Sequence, residues 1–173
     1  MLLRFFGSAA VVIGCVGLGF YYSAKEGFRT AELLAFKKAL LILSSEIEYV
    51  RSPLAVACAN IAARTGSLTG LIFGLFSEFL TVNNGETAYQ LWIKATNSIK
   101  EKSYLTPKDF EMIEGFGKTI GYLDKNMQQN AIDYAISYID EKAVALQISS
   151  EKNKRMYRSL GLIGGLLITV VLW

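Results

Sequence analysis

Both ends of the chain are long apolar runs, and these runs constrain the fold more than any other feature. The stretch from Phe5 to Tyr22 holds 18 residues and no charged side chain. As a helix it would be about 27 Å long, close to the roughly 30 Å of a bilayer's hydrocarbon layer. Aromatic residues of the type enriched at membrane interfaces lie at its boundaries, among them Phe5, Phe6, Tyr21 and Tyr22. The run predicts a retained anchor, because the apolar core of a cleaved signal peptide is usually only about 7 to 15 residues.

The C-terminal run, from Leu160 to Trp173, is 14 residues long. As a helix it would measure about 21 Å, which alone is short for a crossing. Counting from Met156 gives 18 residues, with Arg158 reaching back to the headgroups and Trp173 at the far interface. A second crossing is therefore predicted, with an interfacial or re-entrant tail as the alternative.

Small residues four positions apart occur in both runs, as Ala10 with Gly14 and as Gly161 with Gly165. Such pairs let membrane helices approach each other closely. Glycine is common in membrane helices without this role, so the pairs alone do not establish a contact.

Lysine and arginine residues flank the inner sides of both runs, whereas only Arg4 and the α-amino group lie outside them. The positive-inside rule then places the middle region in the cytoplasm. The predicted division is an anchor at residues 1–24, a cytoplasmic helical domain at 25–155, and a transmembrane or membrane-associated segment at 156–173.

The middle region carries six stretches of helical periodicity, separated by residues that cap or break helices. No stretch alternates polar and apolar residues as a half-buried strand would. Since a short helix is stable only when it buries an apolar stripe, the sequence predicts an all-α fold, an antiparallel bundle of about six helices flanked by the two membrane segments. The predicted helices run from a cap at Thr30 to about Val50, from Ser52-Pro53 to Gly66, from a cap at Ser67 to Phe79 or Leu80, from about Glu86 to Lys102, from Thr106-Pro107 toward Gly121, and onward from about Asp124.

The apolar stripes of these helices form the predicted core. The first stripe comprises Leu33, Leu34, Leu40, Leu41, Ile47 and Val50. The stripes of the fourth, fifth and last helices comprise Leu91, Trp92, Ala95, Ile99, Phe110, Ile113, Phe116, Ile132, Ala135, Ile136, Ile139, Ala143 and Leu146.

The composition excludes most familiar chemistry. The chain has no histidine, which removes Ser-His-Asp and Cys-His arrangements and His-containing zinc sites. Cys15 and Cys58 lack the spacing of a metal or redox pair, and Glu46 and Glu48 diverge on a helix and are interpreted as solvated charges. A net charge of +3 is too small for nucleic-acid binding. We therefore expect no enzyme activity, no catalytic or metal-binding residue, no cofactor and no nucleic acid.

Gly115-Phe116-Gly117 is not a phosphate-binding loop, since no strand precedes it and no Gly-Lys-Ser/Thr follows. Glycine inside a helix costs about 1 kcal/mol relative to alanine, so the backbone there is expected to lie close to something. Packing against a neighbouring helix is the preferred interpretation, and contact with a partner is the alternative.

Three stretches resemble the stage III sporulation protein AB family of endospore-forming bacteria. They are EIEYVRSPLAVACANIA from Glu46 to Ala62, IEGFGKTIGYLDKNMQQNAI from Ile113 to Ile132, and KNKRMYRSLGLIGGLLITVVLW from Lys152 to the end. The last stretch is the most specific, because a Met-Tyr-Arg-Ser-Leu-Gly entry to a Gly-Gly-Leu-Leu tail is unusual. Together with the length and the apolar ends, the resemblance covers nearly the whole chain.

The resemblance implies a domain similar to the cytoplasmic domains of the inner-membrane platform proteins of type II secretion and type IV pilus machines. It implies a scaffold in the mother-cell membrane facing the forespore, in contact with a cytoplasmic secretion-type ATPase and other sporulation channel proteins. Platform proteins generally carry two such domains where this chain has one, so a homo-oligomer is also implied. The alternative function is a membrane-bound enzyme acting on lipid or envelope material. The interface candidates near the family-like stretches are Arg51, Gly115, Gly117, Tyr157 and Arg158.

Overall fold

A computed structural model describes the backbone of residues 2–50, 52–82, 85–120 and 125–172, and the side chains of residues 24–50, 52–82, 85–120 and 126–149. Within these ranges every regular element is helical, which confirms the predicted all-α class. A π-helical turn, Glu46–Val50, follows the first helix, and a 3-10 turn, Lys100–Lys102, follows the fourth. The α-helices are α1 (Leu2–Ser45), α2 (Leu54–Thr65), α3 (Ser67–Val82), α4 (Ala88–Asn97), α5 (Pro107–Gly117) and α6 (Lys125–Leu172).

Over the residues whose side chains are described, no helix has a segment long and apolar enough to cross a bilayer. The predicted membrane segments, 1–24 and 156–173, lie outside those residues except for Ala24. The residues singled out in these segments also lie outside them: Phe5, Phe6, Gly14, Tyr21, Tyr22, Gly161, Gly165 and Trp173.

The chain divides into two compact units. One consists of Met1–Phe28 and Val144–Trp173, and its described backbone belongs to α1 and α6. The other, Arg29–Ala143, contains α2 to α5 together with parts of α1 and α6, and is called the bundle below.

Polar contacts between α1 and α6 show the direction of these two helices in the bundle. Lys37 donates to both carboxylate oxygens of Asp140 at 2.6 and 2.7 Å. Two turns further along α1, the hydroxyl of Ser44 lies 2.8 Å from the amide nitrogen of Gln129. Residue numbers on α6 decrease along these contacts while those on α1 increase, so the two helices run antiparallel, as predicted.

The core of the bundle is built around Trp92 of α4, which is fully buried. Its indole nitrogen donates to the carbonyl of Ile113 at 2.8 Å, which satisfies the polar atom that a buried tryptophan carries. Rings of Phe73, Phe76 and Phe116 surround the indole at centroid distances of 5.1 to 5.8 Å, all in edge-to-face or tilted arrangements. One residue of α4 therefore joins α3 and α5 in a single aromatic cluster.

The predicted core of α4 and α5 is confirmed, whereas the predicted stripes of α6 and α1 are confirmed only in part. On α6, Ile132, Ala135 and Ile139 are buried, but Ile136, Ala143 and Leu146 are only partly buried. On α1, half of the predicted stripe is wrong. Leu34, Leu41 and Val50 are exposed, and Phe36 and Leu43 take their place in the core. Residues 33 to 43 are apolar on almost every side of the helix, so periodicity alone could not select the buried face. The predicted core residues of α4, α5 and α6 that are buried, together with Ile99 just after α4, are Leu91, Trp92, Ala95, Ile99, Phe110, Ile113, Phe116, Ile132, Ala135 and Ile139.

Two predicted helix starts need correction. Thr30 lies inside α1, which begins at Leu2, because no proline or other break separates the N-terminal run from the bundle. Ser52 does not cap α2, since Pro53 occupies the cap position without a side-chain cap. The Ser52 hydroxyl donates instead to the carboxylate of Glu46 at 2.9 Å.

The carboxylate of Glu46 also departs from prediction. It is buried and accepts from Ser52 and, at 3.2 Å, from the amide of Asn60. Glu46 is therefore a hydrogen-bonded link between the π-helical turn and α2, and its interpretation as a solvated charge was wrong. Glu48 is exposed, as predicted.

The start of α5 is confirmed, and α4 is shorter than predicted. Thr106 and Asp109 form a reciprocal capping box with Pro107 at the first helical position. A second capping box, Thr87 with Gln90, sets the start of α4, which ends at Asn97 and not at Lys102.

Candidate interaction site

An open groove of about 520 Å³ lies between α5 and α6 in the bundle. On the α5 side it extends from Lys108 to Thr119, which corresponds to about three helical turns. The remaining lining side chains come from facing positions on both helices, and most are apolar. They are Glu111, Met112, Gly115, Phe116, Ala131, Tyr134, Ala135, Tyr138 and Lys142.

The two glycines of α5 lie on different faces of the helix. Gly117 is buried, and a Cβ built on it would overlap with the indole of Trp92. Gly115 borders the groove, and a Cβ there would meet no atom within 4 Å. The first glycine is needed for packing, which agrees with the preferred interpretation of the sequence. At Gly115, by contrast, no described residue lies close enough to exclude a larger side chain.

The groove combines an apolar floor with an exposed tyrosine and two lysines. Tyr134, which lines the groove, is 71% exposed. Lys108 and Lys142 lie near one end, where the ammonium group of Lys142 lies 5.3 Å from the centre of the Tyr138 ring. An apolar floor with a charged end is the pattern that amphipathic helices recognise.

A partly buried ion pair, Arg29 with Asp109, fixes that end of the groove. The carboxylate of Asp109 is fully buried and accepts from the Arg29 guanidinium at 2.8 and 3.0 Å. It also accepts from the backbone N–H of Thr106 at 2.8 Å and from the hydroxyl of Tyr138 at 3.4 Å. One carboxylate thus joins α1, α5 and α6 and holds the Tyr138 ring that lines the groove.

The pKa values of this cluster follow from its geometry. Burial alone would raise the pKa of Asp109, but the hydrogen bonds from Arg29 and Thr106 and the charge of Arg29 outweigh it and leave the pKa below 3.8. Burial, and then the charge and hydrogen bond of Asp109, raise the pKa of Tyr138 above its ordinary value. Asp109 is therefore ionised and Tyr138 neutral at physiological pH.

Cys58 and the two buried carboxylates of the described bundle are held in the fold. Burial raises the pKa of the Cys58 thiol to about 12, so almost none of the nucleophilic thiolate forms near neutral pH. The two buried carboxylates, Asp109 and Glu46, each have their own hydrogen-bond partners and do not share a pocket. Among the described residues no group of three or more cysteine, aspartate or glutamate side chains is arranged to hold a metal ion.

Only part of the predicted interface falls within the described residues. Gly115 lies on the groove and Gly117 in the core. Arg51 lies outside the described residues, and the side chains of Tyr157 and Arg158 lie outside the described side chains. Sequence reasoning missed Tyr134 and Asp109. The Thr106-Pro107-Lys108-Asp109 capping pattern was available as a signal for Asp109, but its long-range partner Arg29 was not, because 80 residues separate them.

The comparisons with known proteins agree on one family. The chain matches the family model of stage III sporulation protein AB over residues 4–173. It is similar to stage III sporulation protein AB of Bacillus subtilis (strain 168), with 26% identity over 171 residues and 99% of each chain covered. It is also similar in fold to a solved structure of a stage III sporulation protein AB, with a TM-score of 0.66, 23% identity, and coverage of 72% of this chain and 97% of that one.

Proposed function

The chain belongs to the stage III sporulation protein AB family, and from this premise we propose that it is a membrane-anchored scaffold of a secretion-like channel complex. Its place is the mother-cell membrane facing the forespore, with the central domain in the cytoplasm. The uncharged run from Phe5 to Tyr22 and the apolar C-terminal run support the anchoring. The lysine and arginine residues on their inner sides support the orientation.

The partner proposed for the central domain is the cytoplasmic secretion-type ATPase of the complex. The observation that carries this contact is the α5–α6 groove, with its exposed Tyr134 and the open space above Gly115. A groove about three turns long accepts an amphipathic helix with apolar side chains at positions i, i+4 and i+7. Lys108 and Lys142 at one end would pair with acidic side chains of that helix.

The proposed role is binding without turnover. An enzyme that used a buried carboxylate would need to keep it available to substrate. The carboxylate of Asp109 instead accepts hydrogen bonds from Arg29 and Thr106. That of Glu46 accepts hydrogen bonds from Ser52 and Asn60. Both arrangements hold helices together. Measurable hydrolysis of lipid or envelope material by the purified chain would favour the enzyme alternative instead.

A pull-down from sporulating cells tests the ATPase contact. The detergent-solubilised chain should retain the ATPase, a Tyr134→Ala variant should lose most of it, and a Tyr89→Ala variant should keep it. Tyr89 is a matched control, because it is an exposed tyrosine on α4, away from the groove. Failure of the unmodified chain to retain the ATPase, under conditions that preserve other complexes, would refute the partner. Equal recovery with Tyr134→Ala would refute the groove.

Membrane anchoring has a separate test. After cells are broken and the membranes washed with alkaline carbonate, we expect the full chain in the pellet. Recovery of the chain in the supernatant before any detergent is added would contradict the two anchors, whatever the result of the pull-down.

A further inference from the structure

The outer face of α1 and α2 carries apolar side chains that no other part of the described bundle covers. On α1, Leu34 is 46% exposed and Leu41 is 51% exposed, one heptad apart on the same side of the helix. On α2, Val56 is 49% exposed, and Ala59 and Ala63 are exposed on the same side. We call this surface, formed by Leu34, Lys38, Leu41, Ser45, Val56, Ala59 and Ala63, the α1–α2 face.

Two contacts show that the helices of this face lie side by side and antiparallel. The ammonium group of Lys38 donates to the carbonyl of Arg64 at 3.3 Å. Eight residues later, in the π-helical turn that continues α1, the carboxylate of Glu46 accepts from the amide of Asn60 at 3.2 Å. The exposed leucines of α1 and the alanines of α2 therefore belong to one surface.

We propose that the α1–α2 face binds the same face of a second copy of this chain, in a two-fold arrangement with α1 antiparallel to its copy. The exposed residues along α1 and the turn that follows it form a self-complementary pattern. Residues equally distant from position 43 would meet across the two-fold axis. Lys38 then lies opposite Glu48 of the copy, and Leu41 opposite the small side chain of Ser45.

The pattern of α2 independently fits the same arrangement. Residues equally distant from a point near Ala59 and Asn60 are Val56, the largest exposed apolar side chain of α2, and Ala63, a small one. A valine facing an alanine permits close packing of helix on helix. Because Glu46 contacts Asn60, the centre of the α2 pattern lies within about one helical turn of position 43 on α1. A single two-fold axis can therefore relate both helices to their copies.

Charge favours a second copy over an unrelated partner. Lys38 of α1 and Glu48 of the following π-helical turn, both exposed, flank Leu41 and Ser45 in the sequence. A two-fold antiparallel pairing brings opposite charges together twice, whereas a parallel pairing would bring like charges together. This inference deepens the homo-oligomer implied by the scaffold role and concerns a surface distinct from the groove.

Light scattering of the full chain in detergent, after correction for the bound detergent, tests the proposal. The unmodified chain should be a dimer at micromolar concentration. A Leu41→Glu variant should be monomeric, because it would place a carboxylate in the apolar centre of the contact. Leu71→Glu is the matched control, since Leu71 is 55% exposed on α3 and outside the α1–α2 face, and this variant should remain a dimer.

A charge exchange separates this arrangement from any other dimer. Lys38→Glu should raise the dissociation constant of the dimer about tenfold or more, and combining it with Glu48→Lys should restore the dissociation constant to within about threefold. Circular dichroism should be unchanged in both, because both side chains are exposed. A monomer at every concentration, or a dimer insensitive to Leu41→Glu and to the charge exchange, would overturn the proposal. Retention of the ATPase by the Leu41→Glu variant would show that the scaffold function stands apart from this face.

Discussion

Two faces of α5 differ in how closely the rest of the bundle packs against them. One face carries Gly117 against the indole of Trp92, inside the aromatic cluster, where even one added carbon has no room. The other carries Gly115 at the edge of a groove, where an added carbon meets nothing within 4 Å. The two glycines are two residues apart, so the same residue type serves the fold on one side of the helix and a candidate docking surface on the other.

The largest effect is expected for Gly117→Ala. The new methyl group would displace Trp92, which the rings of Phe73, Phe76 and Phe116 and the hydrogen bond to Ile113 hold in place. Overpacking of this kind costs about 1 to 3 kcal/mol, and we expect the upper part of this range. Urea unfolding of the full chain measures the loss, and an unchanged free energy of unfolding would mean that the core face of α5 is not tightly packed.

The next effect is expected for Asp109→Asn, in the first turn of α5. The variant removes the charge that pairs with Arg29, a partly exposed guanidinium, and we expect a loss of about 2 kcal/mol at neutral pH. Asparagine can still accept the hydrogen bond from Thr106, so α5 should remain capped.

The loss of stability caused by Asp109→Asn should depend on pH, and the pKa of Asp109 sets the direction of that dependence. Because the pKa of Asp109 in the folded chain lies below its ordinary value of 3.8, its contribution to stability is present above pH 3.8 and is lost as pH falls through the folded pKa. The difference in unfolding free energy between the unmodified chain and Asp109→Asn should therefore shrink below about pH 3.8. A difference independent of pH would contradict the charge pairing of Asp109 with Arg29.

The smallest effect on stability is expected for Gly115→Ala, the counterpart of Gly117→Ala. A methyl group in open space adds helix propensity, so the unfolding free energy should rise by up to about 1 kcal/mol. The same methyl group narrows the groove and should weaken ATPase binding. Equal destabilisation by the two glycine variants would break the distinction between the faces.

The sequence predicts the bundle well where local chemistry decides the structure. Thr106-Pro107 with Asp109 specifies the start of α5, and the stripes of α4 and α5 are buried as their spacing indicates. Prediction was wrong on α1, because a helix with apolar residues on almost every side does not reveal which side is buried. Phe36 was missed there, and Leu34 and Leu41 were assigned to the core.

The candidate site was less predictable than the fold. Gly115 and Gly117 look alike in the sequence, and only the position of Trp92 separates them. Tyr134 carries no local signal, since its exposure depends on how α5 and α6 pack against each other. The Arg29–Asp109 pair joins residues 80 positions apart, beyond the range of any periodicity.

The most direct test of this account is a titration of the purified secretion-type ATPase against the full chain in detergent. We expect saturable binding to the unmodified chain and at least a tenfold higher Kd for Tyr134→Ala. The unfolding free energies of the two proteins should agree within about 0.5 kcal/mol, as is usual for exposed positions. The same Kd for both proteins, or a weaker affinity that accompanies a comparable loss of stability, would contradict the assignment of recognition to the groove.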